Sequence, residues 1–210
     1  MANKSELAKR MLKYRNVIIK LKNLGIVKVF SDNIADTSGL SSSQVRKDFS
    51  SLSIKGSKKG GYQIQYLVDR FEEILGAKNE QKVIIVGYGN IGKAIINYQN
   101  LNNDICKIVA AFDIDKEKTN SGLDTPVYHI SELDSFSKKN KINIGIIAVP
   151  EEVANEVYEH MYNAGFKGIL NFTRIHLKEI EGITIKTINI DLQIENLFYL
   201  VSLKEQSKDA

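Results

Sequence analysis

The feature that most constrains this chain is Gly87-Tyr88-Gly89-Asn90-Ile91-Gly92, set between the apolar run Val83–Val86 and a stretch with helical spacing. A glycine turn leading from a buried strand into a helix opens a βαβ unit, and such a unit commits the chain beyond it to parallel strands. The rest of the chain keeps that pattern. KIVAAFD, NIGIIAVP, KGILNF and ITIKTINI are short, β-branched runs that alternate with helical stretches at 91–101, 131–139 and 151–164. Strands that are apolar at nearly every position must be covered on both faces, because a half-solvated strand would alternate with polar residues. From residue 82 onward the chain reads as a doubly wound α/β domain with a parallel sheet.

Each glycine of the turn has its own expected role. Gly87 permits the tight turn, Gly89 lets backbone approach a pyrophosphate, and Gly92 permits close packing of helix on strand. The N-terminus of the following helix offers N–H groups and partial positive charge to phosphates. A second feature agrees: Asp113 ends the next strand, 21 residues after Gly92. A carboxylate there accepts from a ribose 2′-OH and repels a 2′-phosphate, which favours NAD(H) over NADP(H). The alternative is a solvated turn aspartate in a domain of this shape that holds no ligand. Catalytic machinery is hard to find, since His129, His160 and His176 have neither a paired base nor metal-ligand spacing. No catalytic or metal-binding residue is assigned.

The first third of the chain is built differently. Leu7, Met11, Tyr14, Ile18 and Leu21 recur at three- and four-residue steps, predicting a helix over 6–24 that Gly25 stops. Ser31 is expected to cap a short helix carrying Ile34 and Ala35, broken at Gly39. The Ser41-Ser42-Ser43 run offers caps for the next, in which Val45, Phe49 and Leu52 form a narrow apolar stripe. Ser43, Lys47, Ser50 and Ser51 then face outward, flanked by Gln44 and Arg46. Helix, glycine turn, helix is the plan of a helix-turn-helix, whose second helix enters a major groove with a polar, basic face. SIKGSKKGGYQI reads as a β-hairpin wing, Ser53–Lys55 with Tyr62–Ile64, with Lys58 and Lys59 near its tip. The winged helix fills 6–65, and a linker helix is expected over 66–78.

Charge follows the same division. Residues 1–78 hold fifteen Lys and Arg against seven Asp and Glu, whereas residues 79–210 hold fourteen against eighteen. A basic first third suits a nucleic-acid partner, and it also suits a merely solvated surface. No apolar stretch approaches the ~18 residues of a membrane span, and the N-terminus has no signal-peptide apolar region. The single cysteine, Cys106, lies in an apolar run and reads as a small core residue. A cytoplasmic protein is expected. The expected organisation is a DNA-binding domain over 1–78, a nucleotide domain over 79–189, and a C-terminal helix and tail over 190–210. Leu192, Leu197, Leu200 and Val201 point to more than one side of that last helix, so it needs a partner.

Taken together, Val45-Arg46-Lys47-Asp48-Phe49-Ser50, the Gly-Lys wing ending Gly61-Tyr62, GYGNIG, Ala111-Phe112-Asp113, Ile146-Ile147-Ala148-Val149-Pro150, the segment Ala164–Phe172 and Ile190-Asp191-Leu192 resemble the bacterial Rex redox-sensing repressors. The resemblance runs in order from about residue 5 to residue 203. It implies a homodimer whose winged helices bind a palindromic double-stranded DNA operator, with NADH releasing DNA and NAD⁺ competing. It also implies a C-terminal helix exchanged between subunits. The resemblance carries Gln44, Arg46 and Lys47 over to the recognition helix and Lys58 to the wing; the outward helix face and the wing tip add Ser43, Ser50 and Lys59 to the candidate DNA contacts. Gly87, Gly89, Asn90, Gly92 and Asp113 match the family's cofactor motif, and Tyr98 and Asp191 its switch positions; Tyr88, Ile91, Val149 and Pro150 join the expected cofactor site, and Arg15 is the candidate arginine of the switch. Without the resemblance, Tyr98 reads as a core tyrosine and Asp191 as a helix cap. The chain departs from the family pattern in carrying Asn16 where the switch arginine is expected, with Arg15 one place earlier, about 100° around the helix. Arg174 stands where proline is common. Two rival readings accompany this one: a related protein with constitutive or differently liganded DNA binding, and a small NAD-dependent oxidoreductase with a basic accessory domain.

Overall fold

The computed structural model describes residues 2–57, 61–75, 81–102, 106–120 and 122–206. The chain divides into two compact units, Met1–Asn79 and Glu80–Ala210. In the first, α1 (Ala2–Asn23) ends at Gly25, whose φ of 76° suits glycine. Then come β1 (Lys28–Val29), α2 (Ser31–Ser38), α3 (Ser42–Ser51), β2 (Tyr62–Gln63) and α4 (Ile64–Leu75).

Burial explains why the helices meet. Tyr14 from α1, Phe49 from α3 and Phe71 from α4 are fully buried, and Phe49 meets Tyr14 and Phe71 edge-on at 5.5 and 5.8 Å between ring centres. Val45 and Phe49 occupy the core as their spacing predicts, with Leu52 partly buried against it. Two expectations need correction. The capping residue of α2 is Phe30 rather than Ser31; the Asn33 side chain accepts from the Phe30 N–H at 3.2 Å. The second concerns the wing. Ser53–Lys55 forms no strand, and β2 pairs antiparallel with β1, Lys28 opposite Gln63 and Val29 opposite Tyr62. A single bridge, Ser57 to Gly61, closes the intervening loop. Ser53, at φ 56°, turns the chain away from the extended conformation a hairpin arm needs. Lys58 and Lys59 lie outside the described residues.

The second unit is a six-stranded sheet in which every neighbouring pair is parallel. In chain order its elements are β3 (Gln81–Val86), α5 (Asn90–Asn102), β4 (Cys106–Asp113), β5 (Val127–His129), α6 (Leu133–Asn140), β6 (Ile144–Ile147), α7 (Glu151–Asn163), β7 (Gly168–Asn171), β8 (Thr184–Thr187) and α8 (Ile190–Gln206). The strand order is β5-β4-β3-β6-β7-β8. Successive residues of β3 serve opposite layers. Ile84 and Val86 join Ala154, Tyr158 and Met161 of α7, whereas Val83 and Ile85 join Ile96 of α5. Period-two side chains with both faces covered make the sheet doubly wound. β5, short and only partly apolar, escaped the sequence pattern. Cys106 is half-buried against the α5 layer. α8 buries no residue: Leu192, Leu197, Phe198, Leu200 and Val201 are all exposed.

Candidate dinucleotide site and nucleic-acid interface

The order of strands locates a crevice. β4 continues the sheet to one side of β3 and β6 to the other, so the carboxyl ends of β3, β4 and β6 flank the point where the winding reverses, the place such sheets bind nucleotides. Gly87 leaves β3 there, its N–H donating to Phe112 at 2.8 Å, and Ala148 leaves β6 with its N–H on Val86 at 2.8 Å. The Gly89 carbonyl accepts from the Lys93 N–H at 2.9 Å and starts α5, so the N–H groups of the first turn have no intrahelical partner.

A Cβ at each glycine shows how the turn is constrained. At Gly87, with φ 103°, it would lie 2.3 Å from the Ala148 carbonyl oxygen, and at Gly92 it would lie 2.0 Å from the Gly87 carbonyl oxygen. At Gly89 it would meet no protein atom within 4 Å. Gly87 and Gly92 therefore serve the protein's own packing, and Gly89 leaves an open approach for a ligand. Gly92 crowds the carbonyl of its own turn, with Ile85 a comfortable 3.7 Å away, so the close contact is to the loop more than to the strand. Asn90 and Ile91 begin α5 exposed, and Tyr88 is partly buried with the Lys93 ammonium 5.1 Å from its ring centre.

Asp113 closes β4 at the rim of this turn. Its carboxylate accepts from the Tyr88 N–H at 2.8 Å, the Asp115 N–H at 2.9 Å and the Lys118 ammonium at 3.2 Å. Burial pushes this carboxyl upward, but the Asp115 and Tyr88 N–H groups and Lys118 outweigh it and hold it below the usual range. The group is thus an anion at neutral pH, already orienting the glycine turn. Lys118 was not foreseen, although Asp113, Asp115 and Lys118 share one short turn where such a cation could be sought.

Two cavities flank the turn after β6. One, of about 360 Å³, is lined by Gly87, Gly89, Asp113 and Lys118. The other, of about 1130 Å³, is lined by Ile91, Tyr98, Leu170, Phe172, Arg174 and Asp191 among others. Val149 and Pro150 line both, which makes them the saddle between the two. A ribose acceptor on one side, an open glycine and helix N-terminus at the centre, and an apolar cavity on the other suit an adenosine, a pyrophosphate and a flat ring in that order. The residues present fit a dinucleotide.

Tyr98 and Asp191 depart from the roles that their sequence context alone gives them. Tyr98 is 69% exposed, so it is no core tyrosine. Asp191 does not cap α8; the Asn189 side chain does, accepting from the Leu192 N–H at 3.0 Å. Asp191 instead accepts from Arg174 at 3.4 Å, and Arg174 also donates to Glu151 at 2.6 Å. Arg15 is buried, and its Nε and Nη1 find no partner among the described residues.

In the N-terminal unit, α3 presents the face its spacing predicts. Ser43, Arg46, Lys47 and Ser50 are exposed, and Ser41 caps the helix by accepting from the Gln44 N–H at 3.2 Å. Two side chains are tethered. The Gln44 amide donates to Asp48 at 2.8 Å, and Arg46 donates to Ser31 at 3.0 Å. Asp48 stands in the Val45–Ser50 motif, but the sequence assigns it no partner. It is buried and accepts from Arg10 at 2.7 and 3.0 Å and from the Tyr14 hydroxyl at 2.9 Å, which fixes α3 to α1. Its position three residues after Val45, beside the apolar stripe, is the signal that could have found it.

Comparison with known proteins agrees with both halves. Residues 6–50 match the family described as putative DNA-binding protein N-terminus, and residues 78–175 match the CoA binding domain family. The redox-sensing transcriptional repressor Rex of Caldicellulosiruptor saccharolyticus is 37% identical over 93% of this chain and 85% of its own. That of Thermosipho africanus is 36% identical over 92% and 93%. Among solved structures, RSP in complex with β-NAD⁺ and operator DNA superimposes with a TM-score of 0.86 at 25% identity, covering 98% of this chain and 95% of that one. Identity at this level over nearly the full length of both partners leaves one assignment: the chain belongs to the Rex family of redox-sensing transcriptional repressors.

Proposed function

We propose that this protein represses transcription by binding a palindromic operator through α3, and that NADH binding in the crevice beside Gly89 releases the DNA while NAD⁺ competes. The observation that carries the reading is the likeness, over 98% of the chain, to a repressor solved with β-NAD⁺ and operator DNA and also with β-NADH. Ser43, Gln44, Arg46, Lys47 and Ser50 form the reading face, and Lys58 and Lys59 add basic charge for the DNA backbone. Gly87 through Gly92, Asp113, Val149 and Pro150 hold the dinucleotide. A second copy of the chain covers the apolar side chains of α8, giving the two-fold reader a palindrome requires. A protein of this kind works in the cytoplasm, beside its DNA, as a sensor and not as a catalyst.

The switch is a matter of differential affinity. NADH can displace DNA only as far as it prefers the arrangement that does not bind DNA. Tyr98 and Asp191 border the large cavity, which supports the reading that they report its occupancy. Arg15, on α1, keeps a buried guanidinium with two nitrogens that find no partner among the described residues, a costly state that an arrangement supplying an acceptor would relieve.

The test is a gel-shift titration on a palindrome of the kind this family binds, with NADH, NAD⁺ and NADPH added separately. NADH should release the operator and NADPH should not. Lys47→Ala should weaken operator binding by about 1–3 kcal/mol if Lys47 meets a base edge. Contact with phosphate alone would give a uniform loss and a shallower salt dependence. Operator affinity unchanged in a folded protein would remove Lys47 from the interface. Steady oxidation of NADH by a metabolite pool would favour an oxidoreductase.

Cofactor choice gives a separate result. In Asp113→Ala the Lys118 ammonium keeps only the more distant Asp115 carboxylate, at 3.9 Å, and becomes a partner for a 2′-phosphate. Calorimetry should show NADH affinity falling and the gap to NADPH narrowing. NADPH binding the unmodified protein as tightly as NADH would contradict the role given to Asp113.

A further inference from the structure

The large cavity has apolar walls and a charged mouth. Ile95, Tyr98, Leu170 and Phe172 stand among its walls, while Glu151, Glu152, Asp191 and Arg174 carry its charge. Arg174 is forked between two of the carboxylates, Nε on Glu151 at 2.6 Å and Nη1 on Asp191 at 3.4 Å. With Asp113 taking the adenosine ribose on the β4 side, the opposite end of a bound dinucleotide falls on the β6–β7 side, which this cavity occupies. NADH and NAD⁺ share every charged group except one: the oxidised ring carries a positive charge and the reduced ring is neutral.

We propose that Arg174 sets the preference between reduced and oxidised dinucleotide, its guanidinium cancelling carboxylate charge that would otherwise hold the oxidised ring. This rests on the dinucleotide site proposed above and adds to it a residue that discriminates redox state. Three carboxylates at the mouth of an apolar cavity attract a cation and are indifferent to a neutral ring. One guanidinium on two of them weakens that attraction for NAD⁺ and leaves NADH unaffected. The charges are exposed, so the effect is modest and depends on salt.

The experiment is calorimetric titration of the full-length unmodified protein, Arg174→Gln, Arg174→Lys and Glu151→Gln with NADH and with NAD⁺, at low and at physiological salt. Arg174→Gln should bind NAD⁺ about threefold to tenfold more tightly, with NADH affinity changed less than twofold, and the gain should shrink as salt rises. Arg174→Lys keeps the charge and should keep the original ratio. Glu151→Gln removes a carboxylate and should weaken NAD⁺ by a similar factor, which tests the idea independently of any change at position 174. Equal shifts for both dinucleotides, an unmoved ratio, or a lysine variant that behaves like the glutamine one would overturn the charge assignment and leave the site standing. Failure of either dinucleotide to bind the unmodified protein would overturn the site itself and this inference with it.

Discussion

Asp48→Ala should destabilise the N-terminal unit by about 3–5 kcal/mol, the loss expected when one partner is removed from a buried, hydrogen-bonded ion pair. The carboxylate serves three donors on two helices, Arg10 and Tyr14 from α1 and Gln44 from α3. Without it the fully buried Tyr14 hydroxyl has no acceptor, and the Arg10 guanidinium, 22% exposed, has lost its anion. Burial pushes the Asp48 carboxyl up, but its bonds from Arg10, Tyr14 and Gln44 outweigh this and hold it below its ordinary value. This sets the sign of the pH dependence. A carboxyl depressed in the folded state contributes its full stability above the unfolded value of about 4, and that stability is lost as pH falls through the lower folded value. Thermal melts of the unmodified protein should therefore fall below about pH 4, and those of Asp48→Asn should fall less steeply there. Because α3 is held to α1 through this group, operator binding should be lost with it. A melting curve for Asp48→Ala that matches the unmodified protein at pH 7 would show that the network does not hold the helices.

The second large effect separates two glycines of one turn. Gly92→Ala should lower NADH affinity by about 3 kcal/mol, the worth of one or two hydrogen bonds to a charged group. Its Cβ would lie 2.0 Å from the Gly87 carbonyl oxygen, and Gly87, at φ 103° and pressed against Ala148, cannot yield without reshaping the turn. The N–H groups of α5 then no longer converge on one point. Folding should suffer too, as overpacking of this kind costs about 1–3 kcal/mol. Gly89→Ala should behave differently. No protein atom lies within 4 Å of the added methyl, so the melting temperature should hardly change while NADH affinity falls, the methyl standing where the pyrophosphate approaches. Calorimetry and melting curves on both variants decide the matter. Equal behaviour of the two would mean that the open space at Gly89 is not the ligand's.

Much of the fold was legible because it is written in local periods. The apolar stripe of Val45, Phe49 and Leu52 and the near-continuous β3, β4 and β6 runs give helix and strand directly, since a side chain's direction is set by its place in the period. The glycine turn and Asp113 were legible for a related reason: their spacing encodes a strand, a turn and a helix in sequence. Gln44 and Arg46 were legible as members of a polar face, but their tethers to Asp48 and Ser31 were not.

Residue order alone dictated the two architectures, the position of the glycine turn and the helix offered to DNA, because each depends on residues a few positions apart. Long-range packing was needed to make β2 pair with β1 instead of with Ser53–Lys55, to gather Arg10, Tyr14 and Gln44 on Asp48, and to bring Arg174 to Asp191. Those contacts join segments separated along the chain. Periodicity shows that a side chain points inward or outward, but the group it meets depends on how distant elements close on one another, and no local period carries that information.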